Sequence, residues 1–172
     1  MFDRLIDLLV QFLDLFKFWH VVDPYEEALV LRLGKLNRHL YCGWHPIIPM
    51  GIERVFGEHV VPAVHSLGNE SVTTKDGKSI GFHAIVTYRV RDIEKLLLEV
   101  ENGDHAVLDA CAGEVARVLR ESTWDEIGQS EILDKLTAAA RKRGFKFGVE
   151  IMSVQLAGMV LCRSIRLIGN SV

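Results

Sequence analysis

The 172-residue sequence has few of the features that mark several large functional classes. Its three cysteines, Cys42, Cys111 and Cys162, are widely spaced, and no two of them form a CxxC pair. This spacing is typical of reduced cytosolic thiols rather than of a disulfide framework. A formal net charge of −3 argues against a nucleic-acid-binding surface. Asp3 stands where a secretory signal needs positive charge, and no small-residue cleavage site follows, so no signal peptide is indicated.

Catalytic and metal-binding motifs are also lacking. The sequence contains no GxSxG, P-loop, GxGxxG or HExxH pattern. His39 and His45 flank Cys42, but no spacing fixes them as metal ligands. We therefore expect no catalytic, cofactor-binding or metal-binding residues and predict that the protein is not an enzyme. A hydrolase that uses Cys42 or Cys111 is the remaining enzymatic alternative, and it would require a thiol of lowered pKa.

The opening peptide, MFDRLIDLLVQFLDLFKFWHVV, is apolar but carries charges at regular intervals. On a helix, its polar residues fall within one stripe roughly 140° wide. These polar residues are Asp3, Arg4, Asp7, Gln11, Asp14 and Lys17. The opposite side presents Phe2, Leu5, Leu9, Phe12, Leu13, Phe16 and Trp19. The pattern predicts an amphipathic helix over residues 1–22.

Three arrangements of this helix remain open. A span is long enough, but its apolar residues contribute roughly −5 kcal/mol while Asp14 near the centre costs about +3 kcal/mol, so insertion is marginal. Packing against the protein's own core is the usual role of such a helix. Lying flat in the membrane interface keeps each charge hydrated and buries the broad apolar side. The width and aromatic content of that side favour the interface.

The next residues predict strands and an unusual apolar loop. ALVLRLGKL alternates like a strand that ends in a glycine turn, after Asp23-Pro24 breaks the helix. CGWHPIIPMG contains two prolines and two glycines and is expected to be a loop. Because this loop carries Trp44, Ile47 and Ile48, it either folds under the domain or meets an apolar surface outside it. If the opening helix binds lipid, we expect the loop to contact the same membrane surface. VVPAVHSL predicts a short edge strand interrupted by Pro62.

The second half combines a hairpin, helices and a closing strand. SVTTKDGKSIGFHAIVTYRV predicts a hairpin that turns at Asp76-Gly77. Helical periodicity follows through residues 92–143, with a capping box at Thr123 and Glu126. FKFGVEIMSVQL alternates from Phe145 onwards and predicts a strand. The order of elements predicts an α+β fold with a β-rich part at about 23–66 and an α/β part at about 67–168.

Four segments together resemble the SPFH or Band 7 domain of the stomatin, prohibitin and flotillin superfamily. The opening strand PYEEALVLRLGKL is similar in its Arg32-Leu33-Gly34-Lys35 turn. The others are the loop from Gly43 to Pro49, the hairpin from Thr74-Lys75-Asp76-Gly77 to Tyr88-Arg89-Val90, and GFKFGVEIMSVQL. The resemblance extends over residues 24–168, so residues 23–172 are expected to form an SPFH-like domain behind the helix at 1–22.

The resemblance implies a non-enzymatic scaffold on the cytoplasmic side of a membrane, held peripherally or monotopically. It also implies self-assembly into a ring or cage, no cofactor, and lipid or a membrane protease as partners. The chain stops at Val172, before the coiled coil usual in the family, so any ring is expected to depend on contacts between domains, and a bacterial or phage-encoded version is expected. The alternative is a soluble adaptor whose N-terminal helix docks on a partner protein.

Overall fold

The protein's computed structural model describes residues 18–162. The strands in this range are β1 (Trp19–Val22), β2 (Glu26–Arg32), β3 (Lys35–Leu40), β4 (Gly43–Pro46), β5 (Glu53–His59), β6 (Ala63–Thr73), β7 (Ser79–Val90) and β8 (Val149–Cys162). The helices are α1 (Gly103–Glu121), α2 (Trp124–Ile127) and α3 (Glu131–Gly144). A π-helical turn covers Lys95–Glu99, and a 3₁₀ turn covers Phe145–Phe147. These elements confirm the predicted α+β class, and they divide into two compact units between Val61 and Pro62.

The described part of the first unit, residues 18–61, contains β-strands and no helix. Strands β3, β2 and β5 form one antiparallel sheet, while β1 and β4 pair antiparallel as a second, two-stranded sheet. A small core, with Val55 packed against it, joins the buried sides of these strands. The core residues are Val22, Ala28, Val30 and Leu40. Burial of Val22 from β1 with apolar residues of β2 and β3 stabilises the two short sheets, because an isolated two-stranded sheet is marginal in water.

Two predictions for this unit are wrong. Residues Trp19–Val22 form strand β1, so the helix predicted over 1–22 does not reach its predicted end; residues 1–17 lie outside the described range. Gly43–Pro46 is strand β4 instead of part of a loop. The two errors have one cause, since each segment pairs with the other over residues 19–22 and 43–46. Pro46 is tolerated because it ends an outer strand of a two-stranded sheet.

The second unit places its helices against a three-stranded antiparallel sheet ordered β6-β7-β8. The predicted hairpin is confirmed, and β7 alternates as expected, with Ile80, Phe82 and Val86 among its buried residues. Helix α1 packs against β6, and α3 packs against β8 and α1. The edge strand predicted near Pro62 is confirmed as β6, but β6 continues to Thr73 through an irregularity between Ser66 and Asn69.

Side-chain hydrogen bonds stabilise the β6–β7 turn and the start of helix α2. In the β6–β7 turn, the Thr74 hydroxyl donates to an Asp76 carboxylate oxygen at 2.5 Å, and Lys78 pairs with the same carboxylate. These hydrogen bonds lower the pKa of Asp76 to about 2. The predicted capping box is confirmed, since Thr123 accepts from the Glu126 backbone N–H and Glu126 accepts from that of Thr123.

The segment before β8 differs from the predicted alternating strand. Phe145–Phe147 forms the 3₁₀ turn, and β8 begins at Val149. Gly148 lies between them with φ of +79°, and its carbonyl accepts from the backbone N–H groups of Arg91 and Asp92, each at 2.9 Å. The prediction failed because Phe145 and Phe147 have strand spacing, yet Phe145 is 76% exposed and does not face the core.

Glu150, near the start of β8, accepts hydrogen bonds from two arginines near the end of β7. One of its carboxylate oxygens accepts from Arg89 Nε at 2.7 Å and from Arg91 Nε at 2.8 Å. These two bonds lower the pKa of Glu150 from 4.5 to about 2. Because the folded pKa lies below the unfolded one, Glu150 stabilises the folded state above about pH 4.5 and loses this effect as the pH falls toward 2.

We therefore expect Glu150→Gln to lessen the acid sensitivity of folding. The free energy of unfolding of the unchanged protein should fall between pH 4.5 and 2, and that of the variant should fall less steeply. Urea unfolding across this range measures both slopes. Glu101→Gln removes an exposed carboxylate that has no ion pair within residues 18–162 and should keep the unchanged slope. Equal slopes for Glu150→Gln and Glu101→Gln would contradict the assignment.

Candidate membrane-contact surface

The β1–β4 sheet exposes an apolar face. Trp19 pairs with Pro46, and Val21 pairs with Trp44, so the four side chains lie on the same side of the two-stranded sheet. Trp19 is 50% exposed, Val21 58% and Trp44 64%. Two tryptophans in one exposed patch are typical of surfaces that meet another apolar phase, because the ring is apolar and its N–H is polar. We call this the tryptophan face.

Hydrogen bonds place the tryptophan face beside one end of the β3-β2-β5 sheet. Beyond Trp19 the pairing continues, because the Ile47 N–H donates to the Phe18 carbonyl at 2.8 Å. The next residue, Ile48, accepts from the Glu53 N–H at 3.3 Å, and Glu53 pairs with Arg32 at the end of β2. Phe18 is where residues 1–17 join the described chain. The predicted amphipathic segment therefore joins the first unit at this end.

Two tight turns form this end of the sheet, which we call the tip (residues 32–35 and 48–54). In the first, Leu33 and Gly34 connect β2 to β3 with φ of 50° and 82°. In the second, Met50 and Gly51 have φ of 64° and 75°. The Leu33 N–H donates to the Ile52 carbonyl at 2.9 Å, so the two turns are neighbours.

Each turn presents an apolar side chain where folding alone would favour a polar one. Leu33 is 79% exposed and Met50 67%. Turns with positive φ at both central residues favour Asn, Asp or Gly, and a non-glycine residue there costs about 1–2 kcal/mol. A strained backbone that exposes a large apolar side chain does not stabilise the unit. It is the kind of feature that marks a contact site.

A buried carboxylate fixes the second turn. The Glu53 side chain is only 3% exposed and accepts from the Ile48 N–H at 3.0 Å, the Asn37 amide at 3.3 Å and an Arg38 guanidinium nitrogen at 3.4 Å. The same guanidinium donates to the Pro46 carbonyl. Glu53 and Arg38 thus connect β4, β5 and β3. This network holds the tip in place next to the tryptophan face.

Comparison with known proteins identifies the family. The sequence profile described as "SPFH domain / Band 7 family" matches residues 20–166. The chain belongs to this family. The SPFH match includes the tip, Trp44 and nearly all of the second unit, and it leaves residues 1–19 outside. The resemblance seen in the four sequence segments is thereby confirmed.

Three relatives of this SPFH protein share 22–28% identity with it. An uncharacterized protein of Methanocaldococcus jannaschii is 28% identical over 138 residues, which cover 79% of this chain and 69% of the relative. The protein HflK of Borreliella burgdorferi is 27% identical over 166 residues, covering 79% of this chain and 50% of HflK. A putative band 7 family protein of Acanthamoeba polyphaga mimivirus is 22% identical over 136 residues, covering 78% and 45%. The chain thus spans about half the length of the last two relatives.

The structure places only some of the predicted contact residues. Trp19 and Trp44 share the exposed tryptophan face, whereas Ile47 and Ile48 are half-buried and are held through their backbones. The remaining predicted residues lie outside the described range. They are Phe2, Leu5, Leu9, Phe12, Leu13 and Phe16. Val21 and Leu33 were not predicted from the sequence. For Leu33 a signal was present, because this leucine directly precedes a glycine in the turn between Arg32 and Lys35.

A metal site, a membrane-spanning helix and a nucleophilic Cys111 receive no support from the described residues. Within residues 18–162, no group of three or more His, Cys, Asp or Glu side chains could hold a metal ion. In the same range, no helix has the length and apolar character to cross a bilayer. Cys111 is fully buried, and burial raises the pKa of its thiol to about 11, which suppresses the reactive thiolate.

Proposed function

We propose that this SPFH protein is a non-enzymatic scaffold that attaches to a membrane through its first unit and self-associates there. The observation that carries the proposal is the coincidence of three apolar features at one end of that unit. These features are the tryptophan face, the strained turns of Leu33 and Met50, and the entry of residues 1–17 at Phe18. Exposed apolar side chains that cost folding energy are explained if a bilayer covers them.

The energetics favour attachment by several weak contacts. Full burial of one large apolar side chain contributes about 1.5–3 kcal/mol, and each side chain of the tip would be buried only in part. An amphipathic segment at residues 1–17 would add its own apolar side. Self-association would then raise the apparent affinity, because linked sites gain avidity without new contacts. We propose a ring or cage of copies on the cytoplasmic leaflet, with a membrane protein such as a protease as partner.

Flotation with protein-free liposomes tests attachment. The unchanged protein should float, and Leu9→Asp with Phe16→Asp should lower the floating fraction at least tenfold, because a charge within an interfacial apolar side costs about 2–3 kcal/mol. Leu98→Asp with Phe145→Asp is the matched control, since it adds the same charge at exposed apolar residues of the second unit. This control should float normally.

Two outcomes would contradict the proposal. Failure of the unchanged protein to float would leave the adaptor alternative, in which the same apolar residues dock on a partner protein. Equal flotation of the two double variants would show that the opening peptide does not hold the protein on lipid.

A further inference from the structure

The first unit has opposite charges at its two ends. Strand β2 begins with Glu26 and Glu27 and ends with Arg32. Because β5 runs antiparallel to β2, its first residues, Glu53 and Arg54, lie at the Arg32 end of β2, and Glu58 near its other end pairs with Glu27. Pairing therefore gathers acidic side chains at one end of the sheet. It gathers the cations Arg32, Lys35 and Arg54 at the other end, which is the tip.

Among residues 18–162, the cations of the tip have no acidic partner. The sequence contains no Asp or Glu from residue 28 to residue 52. Glu53, the strand partner of Arg32, is buried and bound to Arg38. Within residues 18–162, Arg32, Lys35 and Arg54 are exposed and make no salt bridge. The tip therefore carries an excess of three positive charges around two exposed apolar side chains.

The tip also contains a cleft that combines apolar walls with a guanidinium. The cleft has a volume of about 290 Å³ and lies between the two turns. Its lining residues are Leu31, Leu33, Gly34, Gly51, Ile52, Arg54 and Phe56. Arg54 is its cation, and a guanidinium binds the oxygens of a phosphate in a two-pronged geometry. Leu33 and Phe56 beside it offer apolar contact, and they are 79% and 40% exposed.

We propose that the tip binds anionic phospholipid headgroups. Leu33 and Met50 enter the boundary between headgroups and acyl chains, Arg32 and Lys35 lie at the level of the phosphates, and Arg54 binds a phosphate in the cleft. Charge complementarity supports a lipid surface, because a cation near an anionic leaflet gains about fivefold in binding and apolar insertion adds to this. The inference rests on the proposed membrane attachment and specifies which class of lipid the first unit prefers.

Binding to two kinds of vesicle tests the inference. The protein should bind phosphatidylcholine vesicles weakly and vesicles containing phosphatidylserine much more tightly. Arg32→Gln with Lys35→Gln and Arg54→Gln should lower binding to the anionic vesicles on the order of 100-fold, and should change binding to neutral vesicles little. Lys135→Gln with Lys142→Gln and Lys146→Gln removes equal charge from the second unit and should retain the preference.

The outcomes separate the inference from the proposal beneath it. Absence of binding to either vesicle overturns membrane attachment itself. Equal binding to both vesicles leaves attachment intact and overturns the headgroup inference. An equal loss in the two triple variants would show that binding depends on total charge and not on the tip, and would also overturn the inference.

Inorganic phosphate, titrated at constant ionic strength, should not release the protein from anionic vesicles; release would assign the cleft to free phosphate. A preference for an acidic peptide over anionic vesicles would assign the tip to a protein partner.

Discussion

Replacement of Gly148 by alanine is expected to destabilise the folded state by about 3–5 kcal/mol, a large fraction of the stability of a small protein. Two independent costs add at this residue. Its φ of +79° is unfavourable for any residue with a Cβ atom, at about 1–2 kcal/mol. An added Cβ would also lie 2.4 Å from the Asp92 carbonyl oxygen, a backbone atom that cannot move aside easily.

The Gly148 backbone cannot relax without breaking other bonds. Its carbonyl holds the N–H groups of Arg91 and Asp92, so rotation would unpair two donors. Gly158→Ala provides the control, because a Cβ there meets nothing within 4 Å and the residue lies in β8. Urea unfolding should show a much lower midpoint for Gly148→Ala and little change for Gly158→Ala. Similar midpoints would contradict the described packing of the 3₁₀ turn.

The parts of the fold that could be predicted are those where two local signals agree. The β6–β7 hairpin combines strict alternation in β7 with an Asp76-Gly77 turn, and both signals lie within twenty residues. The capping box at Thr123 and Glu126 is likewise a contact between residues three apart. Such features require no knowledge of the rest of the chain.

Features that depend on distant pairing could not be predicted. Trp19–Val22 continues an apolar helical pattern in the sequence, and only its partner strand Gly43–Pro46, more than twenty residues away, makes it a strand. Phe145–Phe147 alternates like a strand, but the close approach of Gly148 to Asp92, more than fifty residues earlier, requires a turn before β8 begins. In each case a long-range contact overrides a local pattern.

The sequence predicted that the candidate surface is apolar, but it did not predict how its residues are arranged. An apolar contact involving Trp19 and Trp44 follows from composition, whereas their shared face follows only from the register of β1 and β4. Leu33 was missed because it reads as the last alternating residue of a strand, although it stands at a turn. The charge separation of the first unit also depends on register, since antiparallel pairing of β2 with β5 places Arg32 and Arg54 at one end of the sheet and sets Glu27 beside Glu58 at the other.

The proposed membrane attachment is expected to change the fluorescence of two of the three tryptophans. Trp19 and Trp44 lie on the exposed tryptophan face of the first unit, whereas Trp124 begins helix α2 of the second unit. Indole rings at the headgroup level lose water contact, so their emission should shift to shorter wavelength when vesicles are added. Trp124→Phe leaves the two rings of the tryptophan face as reporters, and Trp19→Phe with Trp44→Phe leaves Trp124 alone.

Fluorescence quenching by lipids brominated near the start of the acyl chain measures this contact directly. The Trp124→Phe protein, bound to such vesicles, is expected to show strong quenching and a blue shift. The protein that retains only Trp124 should show neither in the fraction that remains bound to the vesicles. Quenching of Trp124 with unquenched Trp19 and Trp44, or unchanged emission from all three in protein that floats, would contradict attachment through the first unit.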